Sequence, residues 1–222
     1  MGKNSILTPI QKRFLETVIK EPYILKKYYF TGGTVLSEFY LKHRLSKDID
    51  LFSEKEVHLP SIAKFIKKAA LKLSAVEIRE EQFLGLHTFF LKIPNQEDFK
   101  VDFNYYPFPR IEKGKTWRGL AIDSLLDMAV NKIHTLYMKP RAREYVDIYF
   151  ILQKTKYSLE DLIKFAKIKF DWHIEPLQLS RRFLEVISFE DYPKMLVVFN
   201  KKKMKDFFLQ EAKKLRKEIF KE

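Results

Sequence analysis

The spacing of apolar residues in the first third of the chain predicts alternating helices and strands. Residues 8–20 place apolar side chains at helical spacing behind Thr8, a possible N-cap. The strand-forming run KKYYF follows at 26–30, and TGGT interrupts the pattern before a second helical stretch, VLSEFYLKH. The predicted order is therefore helix, strand, Gly-Gly turn and helix.

The pattern up to about residue 115 adds strands and one strongly amphipathic helix. DIDLFS has strand spacing, and residues 61–73 keep their apolar side chains on one helical face. Three further strand-like runs follow, AVEIREEQ, LHTFFLKI and FKVDFNYY, separated by turn residues. This half is predicted to be α/β (α+β) with a mixed β-sheet.

The remainder of the chain has helical periodicity, which predicts an all-α second domain. A boundary near EKGKTW divides the sequence into domains at 1–115 and 116–222. The predicted helices span 120–138, 141–153, 158–169 and 179–188, and a Lys-rich helix spans 201–221.

Composition narrows the class of protein. With 222 residues, 46% of them apolar, the chain can bury a sizeable core. Lys and Arg outnumber Asp and Glu by 42 to 29, which gives a net charge of +13. This charge favours a polyanionic binding partner such as nucleic acid or, less often, an acidic membrane surface. There is no cysteine for disulfides or thiolate metal sites, and the histidines lack metal-ligand spacing. Without a signal-peptide core or an apolar membrane span, we expect a cytoplasmic protein.

The Gly-Gly turn is the first feature that indicates chemistry. Gly32, Gly33 and Thr34 open a predicted helix, so unobstructed backbone N–H groups lie at the positive end of the helix dipole. Such a turn can hold a phosphate. It can equally be a tight turn between two elements.

Three aspartates on predicted strands are candidate metal ligands. Asp48 and Asp50, two residues apart, point to the same face of their strand. Asp102 on a later strand could join them, and three clustered carboxylates repel one another without a cation such as Mg²⁺. The alternative is an exposed polar strand face, which for Asp102 would include Lys100 and Asn104.

Read together, these motifs resemble a known family. YYFTGGTVLSEFYLKHRLSKDIDLFS is similar to the nucleotidyltransferase signature of the polymerase-beta-like superfamily. The closer resemblance is to the AbiEii (MenT-like) toxin branch, marked by GGT followed by R-x-S-x-D-[IL]-D-L, which Arg44, Ser46, Asp48 and Asp50 match. The resemblance implies a nucleotidyltransferase fold and nucleotide transfer from an NTP to a hydroxyl acceptor, with one or two Mg²⁺ ions.

The resemblance extends into LLDMAVNKIHTLYMKPRAREYVDIYFIL, where it implies a catalytic lysine at Lys132 and a motif aspartate at Asp147. Lys132 lies at the edge of an apolar stripe, where it could contact a triphosphate or simply extend its ammonium into water. Asp147 lies in a nearly apolar helix and needs a partner, either Arg143 four residues earlier or the Lys132 and nucleotide region. Arg141 could likewise contact phosphate or be an ordinary surface charge.

The resemblance also implies a role for each motif residue. The metal ligands are Asp48, Asp50 and Asp102, and the triphosphate cradle is Gly32, Gly33 and Thr34. Arg44 is a further phosphate contact, and Ser46 lies at the rim of the site, with a role as the acceptor itself as a further hypothesis. Lys132 stabilises the departing pyrophosphate, and Asp147 orients Lys132 or a nucleotide group.

The biological role implied is the toxin of a toxin-antitoxin or phage-defence (abortive infection) pair, with a winged-helix antitoxin as partner. In some relatives the acceptor is the 3′ end of tRNA, and the basic C-terminus at 194–222 could bind RNA or be a solvated helix face. Two alternatives stay open: nucleotide transfer onto a protein, and a non-catalytic RNA-binding or antitoxin-binding module on the same fold.

Overall fold

A computed structural model describes residues 5–219, with side chains of the last helix described up to residue 215. The first part of the chain contains four helical segments: α1 (Pro9–Val18), α2 (Pro22–Lys27), α3 (Gly32–Val35), which continues as a π-helical segment (Leu36–Leu41), and α4 (Leu59–Leu73). Helix α1 begins with a reciprocal capping box, in which Thr8 Oγ1 accepts from Gln11 N and Gln11 Oε1 accepts from Thr8 N.

Within residues 5–219, seven strands form one mixed sheet, which confirms the predicted fold class. They are β1 (Tyr29–Thr31), β2 (Ile49–Ser53), β3 (Glu77–Phe83), β4 (Leu86–Lys92), β5 (Phe99–Tyr105), β6 (Thr116–Trp117) and β7 (Leu120–Ile122). Their order in the sheet is β3-β4-β5-β2-β1-β7-β6. The β2–β5 and β1–β7 pairs are parallel, and the other neighbouring pairs are antiparallel.

Aromatic side chains join α1, α4 and the sheet into a core. The Phe65 ring packs edge-on against Phe14, with centroids 5.6 Å apart, and against Phe103, with centroids 6.2 Å apart. All three side chains are buried. The apolar stripe predicted for α4 is the face that is buried, comprising Ile62, Phe65, Ile66, Ala69, Ala70 and Leu73.

The rest of the chain is built of helices, as predicted. They are α5 (Leu125–Met138), α6 (Ala142–Lys154), α7 (Leu159–Phe170), α8 (Pro176–Leu184), which continues as a 3₁₀ turn (Glu185–Ser188), and α9 (Lys201–Ile219). The end predicted for the last helix, residue 221, lies outside the described residues.

Two sequence predictions need correction. A single helix over 120–138 was wrong, because Leu120–Ile122 extends the sheet as β7 and the helix begins only at Leu125. The run at 26–30 is also not all strand, because α2 continues to Lys27 from a proline at its start. Strands of two or three residues are too short to show a period of two.

The chain divides into two compact units after Leu125. The sequence predicts a boundary near residue 115, and β6 and β7, which follow that position, pair with the sheet of the first unit. Within residues 5–219, no helix is both long and apolar enough to cross a membrane.

Candidate functional site

The Gly-Gly turn of the first unit lies directly against Asp50. Strand β1 ends at Thr31, whose Cα pairs with that of Asp50 on β2. Gly32 has a φ of 78°, and a Cβ added there would lie 2.0 Å from Asp50 Oδ2. Only glycine therefore fits both this backbone conformation and this close approach.

The second glycine lies against the R-x-S segment. A Cβ added at Gly33 would lie 2.6 Å from Arg44 Nη2 and 2.9 Å from Ser46 Oγ. Arg44 is buried, and its Nη1 donates a hydrogen bond to Leu45 O at 3.0 Å. The structure thus brings Gly32, Gly33, Arg44, Ser46 and Asp50 together around one turn.

Two side chains fasten the segment that carries the aspartates. Thr34 Oγ1 donates to Asp48 O at 2.5 Å, so the Thr34 hydroxyl holds the beginning of the aspartate segment. Gln11 Nε2 donates to Ser46 O at 2.9 Å and to Lys47 O at 3.0 Å. The buried Gln11 was missed by the sequence analysis, because nothing local shows that α1 reaches this segment.

The third predicted acid is a direct neighbour of the pair on the sheet. Asp102 on β5 is in parallel register with Asp50 on β2. Its Oδ1 accepts from Thr88 Oγ1 at 2.6 Å, and its Oδ2 accepts from Lys100 Nζ at 2.7 Å. The alternative of a solvated surface position for Asp102 is excluded, since the residue is only 6% exposed.

Lys100 is the basic group within this set of acids. Burial lowers its pKa, but the hydrogen bond to Asp102 and the negative fields of Asp102, Asp48 and Asp50 raise it by more. The net effect is a pKa above the ordinary value for lysine, which keeps the ammonium charged. Sequence analysis placed Lys100 on this face but gave it no role.

The chemistry of these side chains suits a hard divalent cation, since carboxylate oxygens are the ligands that Mg²⁺ prefers. Two of the aspartates, Asp50 and Asp102, are also paired in register on adjacent strands. As the side chains stand, however, no three His, Cys, Asp or Glu side chains of residues 5–219 are grouped to hold a metal ion. Both oxygens of Asp102 are engaged by Thr88 and Lys100. The predicted three-aspartate metal site therefore stays a prediction.

A further buried carboxylate supports the turn, and it was also missed. Asp123, fully buried just after β7, accepts from Thr31 Oγ1 at 2.6 Å through Oδ2 and from Ser124 N at 3.1 Å through Oδ1. Tyr40 Oη donates to Asp123 O at 2.8 Å. These bonds fix the end of β1 from which the Gly-Gly turn departs.

The second unit holds the other predicted pair. Lys132 Nζ lies 2.8 Å from Asp147 Oδ2. Of the partners that the sequence left open for Asp147, Lys132 is therefore one that the structure shows. The Asp147 side chain is fully buried and that of Lys132 is 14% exposed. The purely solvent-directed reading of Lys132 is thereby excluded.

Glu144 is an additional acid at this pair. Its side chain is 1% exposed, and its Oε1 lies 3.5 Å from Lys132 Nζ. Arg141 Nη2 and Arg143 Nε also reach Glu144 Oε1, at 3.1 and 3.5 Å. The two arginines thus have an acidic partner within their own helix region, which the sequence analysis did not identify.

Comparison with known proteins gives the family. The family of "Nucleotidyl transferase AbiEii toxin, Type IV TA system" matches residues 13–219, nearly the whole chain. The chain belongs to the AbiEii family. It is therefore a nucleotidyltransferase toxin, and the type IV toxin-antitoxin classification implies an NTP substrate and an antitoxin partner.

Individual relatives of this AbiEii chain are distant. An uncharacterized protein of Aquifex aeolicus (strain VF5) is 28% identical over 162 residues, which cover 72% of this chain and 74% of the relative. A crystal structure described as a candidate nucleotidyltransferase from H. pylori has a TM-score of 0.60 at 16% identity, covering 98% of this chain and 97% of that chain. The nucleotidyltransferase toxin MenT4 of Mycobacterium tuberculosis has a TM-score of 0.50 at 12% identity, covering 93% and 87%. At these identities the structures show a shared fold.

The Gly-Gly turn of this AbiEii chain can be tested with a matched pair of glycines. Gly32 and Gly119 both have positive φ, but a Cβ at Gly119 would meet only Leu25 Cδ1, at 3.5 Å. Both alanine variants should lose about 1–2 kcal/mol of stability from backbone strain. Only Gly32→Ala should also displace Asp50 and lower nucleotidyl transfer, by roughly 100-fold.

Thermal unfolding and an initial-rate assay on both variants check this expectation. If Gly119→Ala lowers the transfer rate as much as Gly32→Ala does, the loss comes from general strain, and the special role of the Gly32 contact with Asp50 is contradicted.

Proposed function

We propose that the chain transfers a nucleotide from an NTP to a hydroxyl group of RNA in a reaction that requires Mg²⁺. The observation that carries the proposal is the contact between Asp50 Oδ2 and the backbone at Gly32, beside Asp102 on the neighbouring strand. It places carboxylates next to backbone N–H groups at a helix N-terminus. Metal ligands and phosphate donors are both needed for nucleotidyl transfer.

In this proposal Asp48, Asp50 and Asp102 would hold Mg²⁺, which would neutralise charge at the α-phosphate and lower the pKa of the acceptor hydroxyl. The backbone N–H groups of Gly32, Gly33 and Thr34 bind the triphosphate. The Arg44 guanidinium and the Ser46 hydroxyl, which both lie against Gly33, are the proposed side-chain contacts for the phosphates. Arginine's planar fork suits phosphate oxygens.

In the second unit, we propose that Lys132 is a phosphate-binding group. Asp147 and Glu144 hold its ammonium in place, at 2.8 and 3.5 Å. Because both carboxylates are almost completely buried, the lysine loses little orientational freedom when a phosphate binds.

RNA, including the 3′ end of tRNA, is the proposed acceptor because uncompensated positive charge lines part of the first unit. A cavity of about 280 Å³ is lined by Lys26, Lys27, Lys55 and Arg110, and Glu54 is the one acid in its described lining. Arg110 is oriented by its hydrogen bond to Glu54 Oε1 at 3.1 Å. The outer face of α9 adds exposed lysines, namely Lys201, Lys202, Lys203, Lys213 and Lys214.

The salt dependence of RNA binding tests whether this cavity contacts phosphates. Replacing Lys27 and Lys55 with alanine should reduce the slope of log K against log salt by about 1.4, if each lysine neutralises one phosphate of single-stranded RNA. A fluorescence-anisotropy titration at several salt concentrations measures the slope. The control is the double alanine variant of Lys47 and Lys92, which are exposed and paired with Glu97 and Glu77. An equal slope for all three proteins would contradict the assignment.

The acceptor itself is tested by incubating the protein with each α-labelled NTP, Mg²⁺, total RNA and total protein. Label that is removed by ribonuclease and survives protease supports RNA as the acceptor. Label with the opposite sensitivity identifies a protein acceptor instead. Absence of label from every NTP, with purified tRNA as well, would favour a non-catalytic binding module.

A winged-helix antitoxin as partner would be tested by its ability to restore growth of cells expressing the toxin.

A further inference from the structure

Lys100 lies where its positive charge can offset the negative charge of the aspartates without a metal ion. It is two residues before Asp102 on β5, so both side chains point to the same face of the sheet. Asp50 pairs in parallel with Asp102, and Asp48 lies just before β2. One lysine and two aspartates therefore lie on two adjacent strands, with the third aspartate just before one of them.

The contacts of Lys100 show which acid it engages. Its Nζ is 2.7 Å from Asp102 Oδ2, a distance typical of a charge-assisted hydrogen bond. The Lys100 side chain is 32% exposed and the Asp102 side chain 8%, so the lysine is the more solvent-accessible member of the pair. The ammonium also lies in the electrostatic field of Asp48 and Asp50.

Thr88 occupies the other oxygen of Asp102, since its Oγ1 donates to Oδ1 at 2.6 Å. With Lys100 on Oδ2, each oxygen of the carboxylate accepts one hydrogen bond, and a cation that approaches Oδ2 meets the positive charge of the ammonium. Among the described residues, no three carboxylates are grouped to hold a metal ion while Lys100 and Thr88 bond Asp102. A divalent ion and an ammonium cannot take the same position on Oδ2, because they repel each other.

We propose that Lys100 competes with the divalent cation for Asp102. It holds the carboxylate while the metal is absent and releases it when the metal binds, and the freed ammonium then becomes a contact for NTP phosphates. The inference rests on the proposed metal-dependent function and adds a residue that sets its metal affinity. It predicts that the apparent metal affinity equals the intrinsic affinity multiplied by the fraction of molecules in which Asp102 is free of Lys100.

The size of the effect follows from that fraction. If Asp102 is free in about one molecule in ten, removing the lysine should tighten metal binding roughly tenfold. A purely structural role for Lys100 predicts the opposite sign, because Asp102 would lose the group that positions it and would bind metal less well. The sign of the change therefore separates the two roles without an activity assay.

The test is a Mn²⁺ titration of the full chain, with free Mn²⁺ followed by electron paramagnetic resonance. Lys100→Met should bind Mn²⁺ roughly tenfold more tightly than the unmodified protein. Lys92→Met, on the neighbouring strand β4 and paired with exposed Glu77 at 3.4 Å, is the matched control and should bind as the unmodified protein does. Lys100→Gln provides a second variant, with the same expected tightening, should the methionine variant fail to fold.

Unchanged or weaker Mn²⁺ binding by the folded Lys100 variant, with clear binding by the unmodified protein, overturns the inference and leaves the proposed function in place. Absence of Mn²⁺ binding in the unmodified protein and in every Lys100 variant overturns both the inference and the proposed metal dependence. Tightening in Lys92→Met to the same extent would assign the effect to net charge and would also overturn the inference.

Discussion

Asp50→Asn should lower the rate of nucleotidyl transfer by roughly 1,000-fold while leaving the fold intact. Asn is isosteric with Asp, so the contact with the Gly32 backbone and the register with Asp102 are retained. The change removes the negative charge that we propose holds the cation at the α-phosphate, and loss of one such electrostatic contribution costs about 100-fold to 1,000-fold in kcat. Initial rates of nucleotide incorporation, with circular dichroism as a check on folding, measure the effect.

The matched control for this variant is Asp98→Asn. Asp98 is exposed and lies just before β5, so its substitution removes the same charge at a position away from the Gly-Gly turn. The control should keep nearly the full rate. If Asp50→Asn retained a rate within tenfold of the unmodified protein, the metal role assigned to Asp50 would be contradicted.

Lys132→Met should destabilise the second unit by about 3–5 kcal/mol, the cost of leaving a buried charge without its partner. Asp147 is fully buried and Glu144 is 1% exposed, and both carboxylates contact the Lys132 ammonium. The methionine side chain fills similar volume but offers no charge. Urea unfolding of the variant, followed by tryptophan fluorescence, measures the loss.

A second substitution separates the structural from the catalytic role of Lys132. Adding Asp147→Leu to Lys132→Met removes the stranded charge of Asp147 and should recover part of the stability, but not the transfer rate. The control is Lys164→Met, whose exposed pair with Glu160 at 2.8 Å should cost no measurable stability. If Lys132→Met were as stable as this control, the buried ion pair would not be a stabilising contact of the folded unit.

The local motifs could be predicted from the sequence because their physical causes are local. The stripe on α4 has a period that can be counted, and the Gly-Gly turn and the D-x-D segment are each defined by a few consecutive residues. The polymerase-beta-like resemblance then joined these segments to Asp102, Lys132 and Asp147. The structure places Asp102 beside Asp50 and Lys132 beside Asp147.

The supporting residues could not be predicted, because their roles depend on pairings between distant segments. Lys100 has its role only because β5 lies parallel to β2 in one particular register. Gln11 reaches the aspartate segment across 35 residues of sequence, and Asp123 bonds Thr31 across 92. From the sequence alone, Glu144 looks like an ordinary charged residue in an Arg-rich turn. Only the structure shows that it is buried.

Transfer of label from an NTP that carries it at the α-phosphate, compared with one that carries it at the γ-phosphate, tests the central claim most directly. A nucleotidyltransferase breaks the bond between the α- and β-phosphates, so the acceptor should gain α-label, and γ-label should appear only in released pyrophosphate. With Asp50→Asn in place of the unmodified protein, the acceptor should gain neither label. Appearance of γ-label on the acceptor would show phosphoryl transfer and would contradict this account of the site.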